Sequence, residues 1–318
     1  MNVLVTGAQG FVGSWLAERL LSGGRGVVAL RRDVDPASRF RTEGIEERCT
    51  LALADLTDHD ALVRVLNEHE VSDVFHLGAQ TIVGNANRSP LGTWEANVRG
   101  TYTLLEACRS LGSVRRVVVA SSDKAYGEQD ELPYREDLAL RPRYPYDVSK
   151  ACADLIARSY AHTFDLRVAV TRLANVYGPG DINWSRIVPD TARALARGER
   201  PVVRSDGTPE RDYLYVEDAV NAYLAVGASL DRPELSGRAW NAGWGRGVPV
   251  LEVVRTLVAA SGRPLEPDVR GQGTPHAEID RQYLDSSAIR SELGWEPKWE
   301  LERGLAASWE WYERHLSG

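Results

Sequence analysis

Short apolar runs alternate with longer segments of helical periodicity through the first half of the chain. In residues 11–21, for example, apolar side chains recur at the spacing of a helix, and Gly23 follows where such a helix would end. Strands that alternate with helices at this rhythm predict a parallel sheet with helices on both faces. The predicted strands are 3–5, 27–30, 51–54, 74–77, 117–120 and 168–171, and the longest predicted helices are 94–111 and 146–164.

The pattern changes after Tyr177, where turns that contain glycine and proline become frequent. Helical patterns at 189–197, 216–230 and 250–261 are accompanied by short strand patterns at 201–204 and 239–242. We therefore predict an α/β protein with two parts. Residues 1–177 form a Rossmann-type doubly wound parallel sheet, and residues 178–318 form a smaller C-terminal α/β substrate lobe, some segments of which return to the first domain.

A glycine-rich turn separates the first predicted strand from the first predicted helix. It begins at Gly7 and has the spacing Gly-x-x-Gly-x-x-Gly. The first glycine permits the turn, the second lets the backbone approach a pyrophosphate at the helix N-terminus, and the third allows close helix–strand packing. This strand–turn–helix context predicts a dinucleotide site. Its expected ligands here are Gly7, Gln9, Gly10, Phe11, Val12 and Gly13.

Two arginines, Arg31 and Arg32, follow the second predicted strand. An acid at this place would bind the adenosine ribose of NAD, whereas an arginine suits the 2′-phosphate of NADP. The sequence thus slightly favours NADP(H) over NAD(H), although Asp33 could still reach a ribose. Asp55 follows the third predicted strand, and we expect it to contact the adenine edge, to cap the next helix, or both.

A tyrosine and a lysine stand four residues apart at the start of the predicted helix 146–164. Side chains at this spacing share one helix face, so the ammonium of Lys150 would lie beside the phenol of Tyr146. A neighbouring positive charge lowers the pKa of a tyrosine, which could then take a proton from a hydroxyl group near neutral pH. Together with the dinucleotide turn, this spacing predicts a catalytic pair.

Composition and charge narrow the classes of partner. The chain has 318 residues and a formal net charge of −7, which disfavours a broad nucleic-acid surface. Cys49, Cys108 and Cys152 are far apart and match no metal-binding or redox spacing, so we expect reduced thiols and no metal. No apolar run reaches membrane-spanning length, and the first residues enter a strand directly. We therefore expect a cytoplasmic protein that does not bind a membrane.

Several motifs together resemble the extended short-chain dehydrogenases/reductases, the NAD(P)-dependent nucleotide-sugar epimerases and dehydratases. Beside the glycine turn and the Tyr-x-x-x-Lys pair, the matching motifs are Asp55-Leu56, His76-Leu77-Gly78-Ala79, Asn97-Val98-x-Gly100-Thr101, Ser121-Ser122, Arg211-Asp212-Tyr213-x-Tyr215-Val216-x-Asp218 and Leu293-Gly294-Trp295-x-Pro297. The resemblance covers essentially the whole chain. It implies that the cofactor is also bound by Asp55, Leu56, Leu77, Gly78, Ala79, Asn97, Tyr146 and Lys150.

The segment after the predicted strand 117–120 indicates a reaction within this family. Ser122-Asp123-Lys124-Ala125-Tyr126-Gly127 looks like the corresponding segment of CDP-glucose 4,6-dehydratases. Arg31-Arg32 and His76-Leu77-Gly78-Ala79 look more like GDP-mannose 4,6-dehydratases, which use NADP. The resemblance therefore implies a nucleotide-sugar 4,6-dehydratase, with CDP-glucose or GDP-mannose as the expected substrate.

In that reaction Tyr146 removes the proton of the sugar C4 hydroxyl, Ser122 donates a hydrogen bond to the same oxygen, and Lys150 holds the cofactor ribose. Lys124, or a water that it orients, would take the C5 proton, and a protonated Asp123 would protonate the departing C6 hydroxyl. If Asp123 and Lys124 are instead a solvated loop pair, the enzyme is a 4-epimerase or an NADPH-dependent reductase of a nucleotide 4-keto-6-deoxy sugar. A sensor without turnover is disfavoured, because such sensors tend to lose the Tyr-x-x-x-Lys pair.

The expected substrate-binding residues lie in both halves of the chain. Arg186 and Arg211 suit a substrate pyrophosphate by bidentate pairing, or else form surface salt bridges. Asn175 would bind the same phosphates or cap a strand end. The full predicted set is Gln80, Ser122, Asn175, Arg186, Val188 and Arg211. The two longest helices could pair with those of a second copy, so we expect a homodimer.

Overall fold

The computed structural model describes residues 2–271 and 279–316. Its strands are β1 (Asn2–Thr6), β2 (Gly26–Arg31), β3 (Thr50–Leu53), β4 (Val71–His76), β5 (Arg116–Ala120), β6 (Arg167–Leu173), β7 (Asn175–Tyr177), β8 (Val202–Val203), β9 (Glu210–Arg211), β10 (Tyr213–Tyr215), β11 (Ala239–Ala242), β12 (Val248–Pro249), β13 (Asp268–Val269) and β14 (Arg281–Gln282). Seven of them form one parallel sheet in the order β11-β6-β5-β4-β1-β2-β3. The predicted doubly wound α/β fold is confirmed.

Helices connect and cover these strands. They are α1 (Phe11–Ser22), α2 (Arg39–Thr42), α3 (His59–Glu68), α4 (Val83–Arg88), α5 (Pro90–Trp94), α6 (Gly100–Leu111), α7 (Pro145–Thr163), α8 (Ile187–Ala196), α9 (Val216–Ser229), α10 (Val250–Ser261), α11 (Ser287–Leu293) and α12 (Leu301–Leu316). Short 3-10 turns lie at Glu46–Arg48, Asp123–Tyr126 and Pro233–Leu235. No helix in the described ranges combines the length and apolar character needed to cross a membrane.

The central sheet is apolar on both faces, because successive side chains of a strand point to opposite sides. Along β1, Val3 and Val5 pack into one buried cluster with α1 and α9, whereas Leu4 packs into a second cluster with α3 and α6. All residues of β4 are buried. Helices thus occupy both faces and leave the carboxyl edge of the strands as the place where a ligand can bind.

The predicted helix 94–111 is interrupted by a π-helical turn, Glu95–Arg99, between α5 and α6. Asn97 lies in this turn, and its side chain brackets the backbone of Gln80. Asn97 Oδ1 accepts from Gln80 N at 2.6 Å, and Nδ2 donates to Gln80 O at 3.0 Å and to Ser149 Oγ at 2.8 Å. Such wide turns are frequent at functional sites, since they re-aim a side chain that a regular helix would present elsewhere.

Segments that follow Tyr177 in sequence pair with strands that end at or before it. β11 pairs with β6 and forms one edge of the central sheet, while β10 pairs with β7. β9 lies between β12 and β14 in a small three-stranded sheet. A third apolar cluster, built by α8, α10 and α12, supports these strands. The boundary between residues 177 and 178 stays a prediction.

Candidate active site

The glycine turn between β1 and α1 is tightly packed. Gly7 has a φ of +73°, and a Cβ there would lie 2.8 Å from Gly78 N at the end of β4. A Cβ at Gly13 would collide with the Gly7 carbonyl. Gly10 is the N-cap of α1 and provides no side-chain hydrogen bond to it. Since α1 begins just after the carboxyl end of β1, the amides of its first turn lie at the carboxyl edge of the sheet without a side-chain cap. A close-packed turn at the start of a helix fits a dinucleotide pyrophosphate. The assignment of Gly7, Gln9, Gly10, Phe11, Val12 and Gly13 as its ligands stays a prediction.

The two arginines at the end of β2 are engaged by acidic side chains. Arg31 Nη1 lies 2.6 Å from Glu46 Oε1, and Arg32 Nη2 lies 2.9 Å from Asp33 Oδ2. The Arg32–Asp33 pair is two-thirds exposed, so it is weak. Gln9 Nε2 donates to Asp33 O at 2.7 Å and thereby ties the glycine turn to this loop. The positive charge expected to select a 2′-phosphate is therefore partly neutralised.

Asp55 forms a local turn rather than a helix cap. Its Oδ1 accepts from Thr57 Oγ1 at 2.7 Å and from Thr57 N at 2.8 Å, and these hydrogen bonds hold the pKa of Asp55 below its usual value. The N-cap of α3 is Asp58, whose side chain accepts from Ala61 N. The expectation that Asp55 caps this helix was wrong, because the helix begins at His59.

The residues after β4 are held by side chains from neighbouring elements. Thr6 Oγ1 accepts from Gly78 N at 2.9 Å and bonds His76 Nδ1 at 2.8 Å. Burial lowers the pKa of His76 to about 3, so this imidazole is a neutral structural bridge. A Cβ at Gly78 would press on Thr6 and Leu56. Of the predicted cofactor residues, Leu77 and Gly78 thus lie beside Gly7, and Leu56 lies beside Gly78. Asn97 is bonded to Gln80, two residues after Gly78.

Tyr146 and Lys150 are both buried in α7, at 9% and 5% exposure. Lys150 Nζ donates to Ala120 O at 2.8 Å, and burial lowers the pKa of this ammonium to about 8. Burial raises the pKa of Tyr146 to about 12; Arg186 and a hydrogen bond to Ser122 oppose that rise, and Asp123 adds to it. The expected lowering of the Tyr146 pKa by Lys150 was therefore wrong for the chain alone. The lysine is held at the end of β5, and Arg186 is the principal cation that lowers the pKa of the phenol.

The segment that begins at Ser122 is a 3-10 turn at the carboxyl end of β5 and packs against α7. Ser122 Oγ accepts from Lys124 N at 3.2 Å and donates to Asp123 Oδ1 at 2.9 Å. Asp123 is only 2% exposed, and burial raises its pKa. Its Oδ2 has no hydrogen-bond partner among the described residues. Asp123 is therefore a buried acid and not part of a solvated loop, while Lys124 beside it is half-buried.

A second buried carboxyl, Asp147, was missed by the sequence reasoning. It follows Tyr146 in the first turn of α7 and is 7% exposed. Burial raises the pKa of Asp147 to about 6; Lys124 opposes this rise and Asp123 adds to it. The only signal in the sequence is an acid directly after the tyrosine. Two buried carboxyls, Asp123 and Asp147, thus raise the pKa of the Tyr146 phenol further, and the Lys124 ammonium lowers the pKa of both carboxyls.

The Asp147→Asn variant should flatten the dependence of stability on pH. The pKa of Asp147 is higher in the folded chain than its usual value of 3.8, so its contribution to stability is full below about pH 4 and is lost as the pH rises through about 6. Removing this loss should raise the free energy of unfolding, relative to the unaltered protein, by up to about 3 kcal/mol between about pH 4 and pH 7. Urea unfolding across this range measures it. Asp130→Asn, at an exposed position, serves as the control, and parallel curves for Asp147→Asn and the unaltered protein would contradict the assignment.

Two of the predicted substrate residues, Arg186 and Arg211, lie near Tyr146 and Asp123 respectively, because they act on the pKa of these groups. Arg186 caps α8 and pairs with Asp181 Oδ2 at 3.2 Å, while the Val188 side chain packs into the third apolar cluster. Arg211 is 7% exposed, donates to Glu210 O at 2.8 Å, and helps to lower the pKa of Asp123. Arg211 is thus buried beside the acid. Asn175, at the start of β7, has a buried Nδ2 without a hydrogen-bond partner in the described part of the chain.

The comparisons with known proteins identify the family. The model of the NAD dependent epimerase/dehydratase family matches residues 3–243, and the chain belongs to that family. It is 33% identical to a UDP-glucose 4-epimerase of Mycolicibacterium smegmatis, over 98% of each chain. It is 28% identical to a CDP-glucose 4,6-dehydratase of Salmonella typhimurium, over 100% of this chain and 92% of that one. The solved dTDP-glucose 4,6-dehydratase of Streptomyces venezuelae, with NAD bound, superposes with a TM-score of 0.88 at 29% identity, over 99% of this chain and 97% of that one.

These similarities confirm the predicted family. They do not distinguish its epimerases from its dehydratases. Relatives named as epimerases and relatives named as dehydratases both match almost the full chain. The related structure was solved with NAD, so the predicted preference for NADP gains no support. In the described ranges, no group of three or more His, Cys, Asp or Glu side chains could hold a metal ion.

Proposed function

We propose that the chain is a nucleotide-sugar 4,6-dehydratase. The observation that carries the proposal is Asp123, a carboxyl with 2% exposure whose raised pKa keeps it protonated more readily and whose Oδ2 has no partner among the described residues. A 4-epimerase needs proton transfer only at C4, for which Tyr146 suffices. An elimination needs an additional acid for the leaving hydroxyl, and a buried carboxyl next to the tyrosine meets that need. CDP-glucose and GDP-mannose are the substrates that the sequence favours.

The residues act at three neighbouring carbons of the sugar, C4, C5 and C6. Tyr146 takes the proton of the C4 hydroxyl. To donate a hydrogen bond to that oxygen as its charge changes, the Ser122 hydroxyl turns away from Asp123 Oδ1, to which it donates at 2.9 Å in the structure. Bound NAD supplies the hydride acceptor for C4 and the hydride that is finally returned to C6. Lys124, or a water that it orients, removes the C5 proton, and Asp123 gives its proton to the C6 hydroxyl, which leaves as water. Lys124 then returns its proton to C5, and the proton held by Tyr146 restores Asp123, so the net change is the loss of one water.

A 4-epimerase is the second candidate, because a UDP-glucose 4-epimerase is 33% identical over almost the whole chain. In that reaction Tyr146 would take the proton and return it to the opposite face of C4. Asp123 would then only shape the pocket. A keto-sugar reductase remains the third outcome to test.

The proposal is tested by incubating the purified protein and NAD with CDP-glucose, GDP-mannose, dTDP-glucose or UDP-glucose. The mass of the nucleotide sugar is then measured by mass spectrometry. Loss of one water from any of them supports the dehydratase and names its nucleotide. A product of unchanged mass that separates from its substrate by liquid chromatography would be an isomer, would establish the epimerase and would overturn the proposal. No change in any of the four would direct the next assay to reduction of a preformed nucleotide 4-keto-6-deoxy sugar by NADPH. The Tyr146→Phe variant is the blank for every substrate.

For the cofactor, we propose NAD and expect it to bind at least about 10-fold more tightly than NADP. Arg31 is held by Glu46 at 2.6 Å, so its charge is partly neutralised before a 2′-phosphate could reach it. Glu46→Gln should free this arginine and reduce the preference for NAD. Fluorescence titration of both dinucleotides measures the ratio. Glu47→Gln, at the neighbouring position, is the matched control, and tighter binding of NADP by the unaltered protein would contradict the expectation.

We also propose a homodimer formed through the exposed apolar residues of α5, α6 and α7. Leu91 is 68% exposed, Trp94 44%, Tyr102 43% and Leu155 55%, and α6 packs beside α7. A second copy of the chain would cover this surface. The Leu155→Arg variant should therefore sediment as a monomer and the unaltered protein as a dimer in analytical ultracentrifugation. Leu53→Arg, at a 70% exposed position of the edge strand β3, should stay dimeric; a dimeric Leu155→Arg would contradict this interface.

A further inference from the structure

Gln282 lies far in sequence from the motifs around Tyr146 and Ser122, but it contacts the 3-10 turn Asp123–Tyr126 directly. It forms β14, where it pairs with Arg211 of β9, and its side chain is completely buried. Its backbone carbonyl accepts from Asp212 N at 3.1 Å. Its side-chain Nε2 donates to Asp123 O at 3.0 Å. The C-terminal part of the chain thus holds the backbone of the proposed acid.

The orientation of the Gln282 amide follows from this contact. A backbone carbonyl can only accept, so the atom that faces Asp123 O is the nitrogen, and Oε1 occupies the other position. Gln282 Oε1 is buried and has no hydrogen-bond partner among the described residues. An acceptor left in this state is costly, and native proteins usually provide a donor for it. Gln282 Oε1 and Nε2 are bonded to the same carbon, and Nε2 is hydrogen-bonded to the Asp123 backbone. A donor that reaches Oε1 therefore comes close to Asp123.

The two residues joined by this hydrogen bond thus each carry a buried side-chain oxygen that has no partner among the described residues, Gln282 Oε1 and Asp123 Oδ2. Asp123 Oδ1 already accepts from Ser122, so the acid proton belongs on Oδ2. A hydroxyl group satisfies both atoms at once, because it accepts one hydrogen bond and donates another. A sugar hydroxyl placed here would accept from Asp123 Oδ2 and donate to Gln282 Oε1.

We propose that Gln282 Oε1 accepts a hydrogen bond from the leaving C6 hydroxyl of the sugar. This bond turns a lone pair of the hydroxyl oxygen toward the proton on Asp123 Oδ2, while Gln282 Nε2 holds the Asp123 backbone. This inference rests on the proposed dehydratase function for the identity of the hydroxyl. When the C–O bond breaks, the oxygen takes the bonding electron pair and the Asp123 proton and leaves as water. Gln282 exchanges no proton and acts by orientation.

Binding of CDP-glucose and of its 6-deoxy-6-fluoro analogue tests the contact, with NAD-loaded Tyr146→Phe protein so that no turnover intervenes. GDP-mannose and its analogue replace them if GDP-mannose is the sugar that loses water. Fluorine cannot donate a hydrogen bond, so the analogue should bind about 5-fold more weakly by titration calorimetry. The added Gln282→Met substitution should bring the ratio of the two dissociation constants close to one, because methionine has no amide oxygen to accept from the hydroxyl.

The matched control is Gln129→Met. Gln129 Nε2 also holds a neighbouring backbone, with hydrogen bonds to Tyr126 O at 2.6 Å and Ala139 O at 2.9 Å. The Gln129→Met substitution should leave the ratio of the two dissociation constants unchanged. A ratio near one in the Tyr146→Phe protein itself would overturn the proposal, even if the Gln282→Met variant fails to fold. Equal weakening of both sugars by Gln282→Met would also overturn it and leave Gln282 a purely structural role. Because the readout is binding, it is independent of water loss, so failure of the dehydratase function is seen separately in the product mass.

Discussion

Tyr146→Phe is expected to lose about 10²–10⁴-fold in kcat while it still binds NAD. The variant removes only the phenol oxygen, which the proposed mechanism uses to take the C4 hydroxyl proton. We expect NAD binding to rest mainly on the glycine turn between β1 and α1, which the substitution leaves intact. Product formation by mass spectrometry and NAD binding by fluorescence titration measure the two effects separately.

Tyr160→Phe is the matched control for this prediction. Tyr160 belongs to the same helix, but its hydroxyl bonds Glu106 at 3.1 Å, away from the site. Its loss should leave kcat within about 2-fold of the unaltered enzyme. If Tyr146→Phe retained full activity, the assignment of Tyr146 as the proton acceptor would be wrong.

The parts of the fold that depend on local pattern could be predicted from the sequence. The run Val3–Val5 followed by Gly7 predicted a buried strand and a dinucleotide turn, because alternation of side chains and positive φ are properties of a few adjacent residues. The structure adds the long-range reason for the turn, since a Cβ at Gly7 would collide with the end of β4. Local pattern and tertiary packing agree at this position.

The parts of the site that depend on distant segments could not be predicted. Gln282 lies 159 residues after Asp123, and nothing in the short sequence around either residue shows that they meet. The partial neutralisation of Arg31 by Glu46 likewise requires the fold of the intervening loop. Periodicity predicted a continuous helix through Asn97, but the hydrogen bonds of Asn97 to Gln80 accompany a π-helical turn that periodicity does not reveal.

The electrostatics of the catalytic pair show the same limit. Helical spacing correctly places Tyr146 and Lys150 in one buried helix, yet it does not say where the ammonium is directed. In the structure Lys150 is bonded to the Ala120 carbonyl, and Arg186 takes the larger part in lowering the pKa of Tyr146. Burial, which a sequence pattern does not measure, outweighs the opposing effect of Arg186 and sets the direction of the shift in the Tyr146 pKa.

Asp123→Asn is expected to lose the elimination of water by about 10²–10⁴-fold while oxidation at C4 continues. Asparagine has nearly the same shape, and its Oδ1 can still accept from Ser122 as Asp123 Oδ1 does at 2.9 Å. Its amide nitrogen replaces Oδ2 and cannot deliver a proton to a leaving hydroxyl. Reduced nicotinamide should therefore accumulate on the variant, as measured by its absorbance after mixing with substrate, while the mass of the sugar shows no loss of water.

The pH dependence of elimination gives the same assignment a second test. Burial raises the pKa of Asp123, and the acid form is the one that the reaction needs, so the elimination rate should fall as the pH rises through that pKa. The residual rate of Asp123→Asn should lack this fall. Asp137→Asn, at a 75% exposed position, should behave as the unaltered enzyme does. Undiminished water loss by Asp123→Asn would remove Asp123 from the mechanism, and a sugar isomer formed equally well by both proteins would assign the chain to the epimerases.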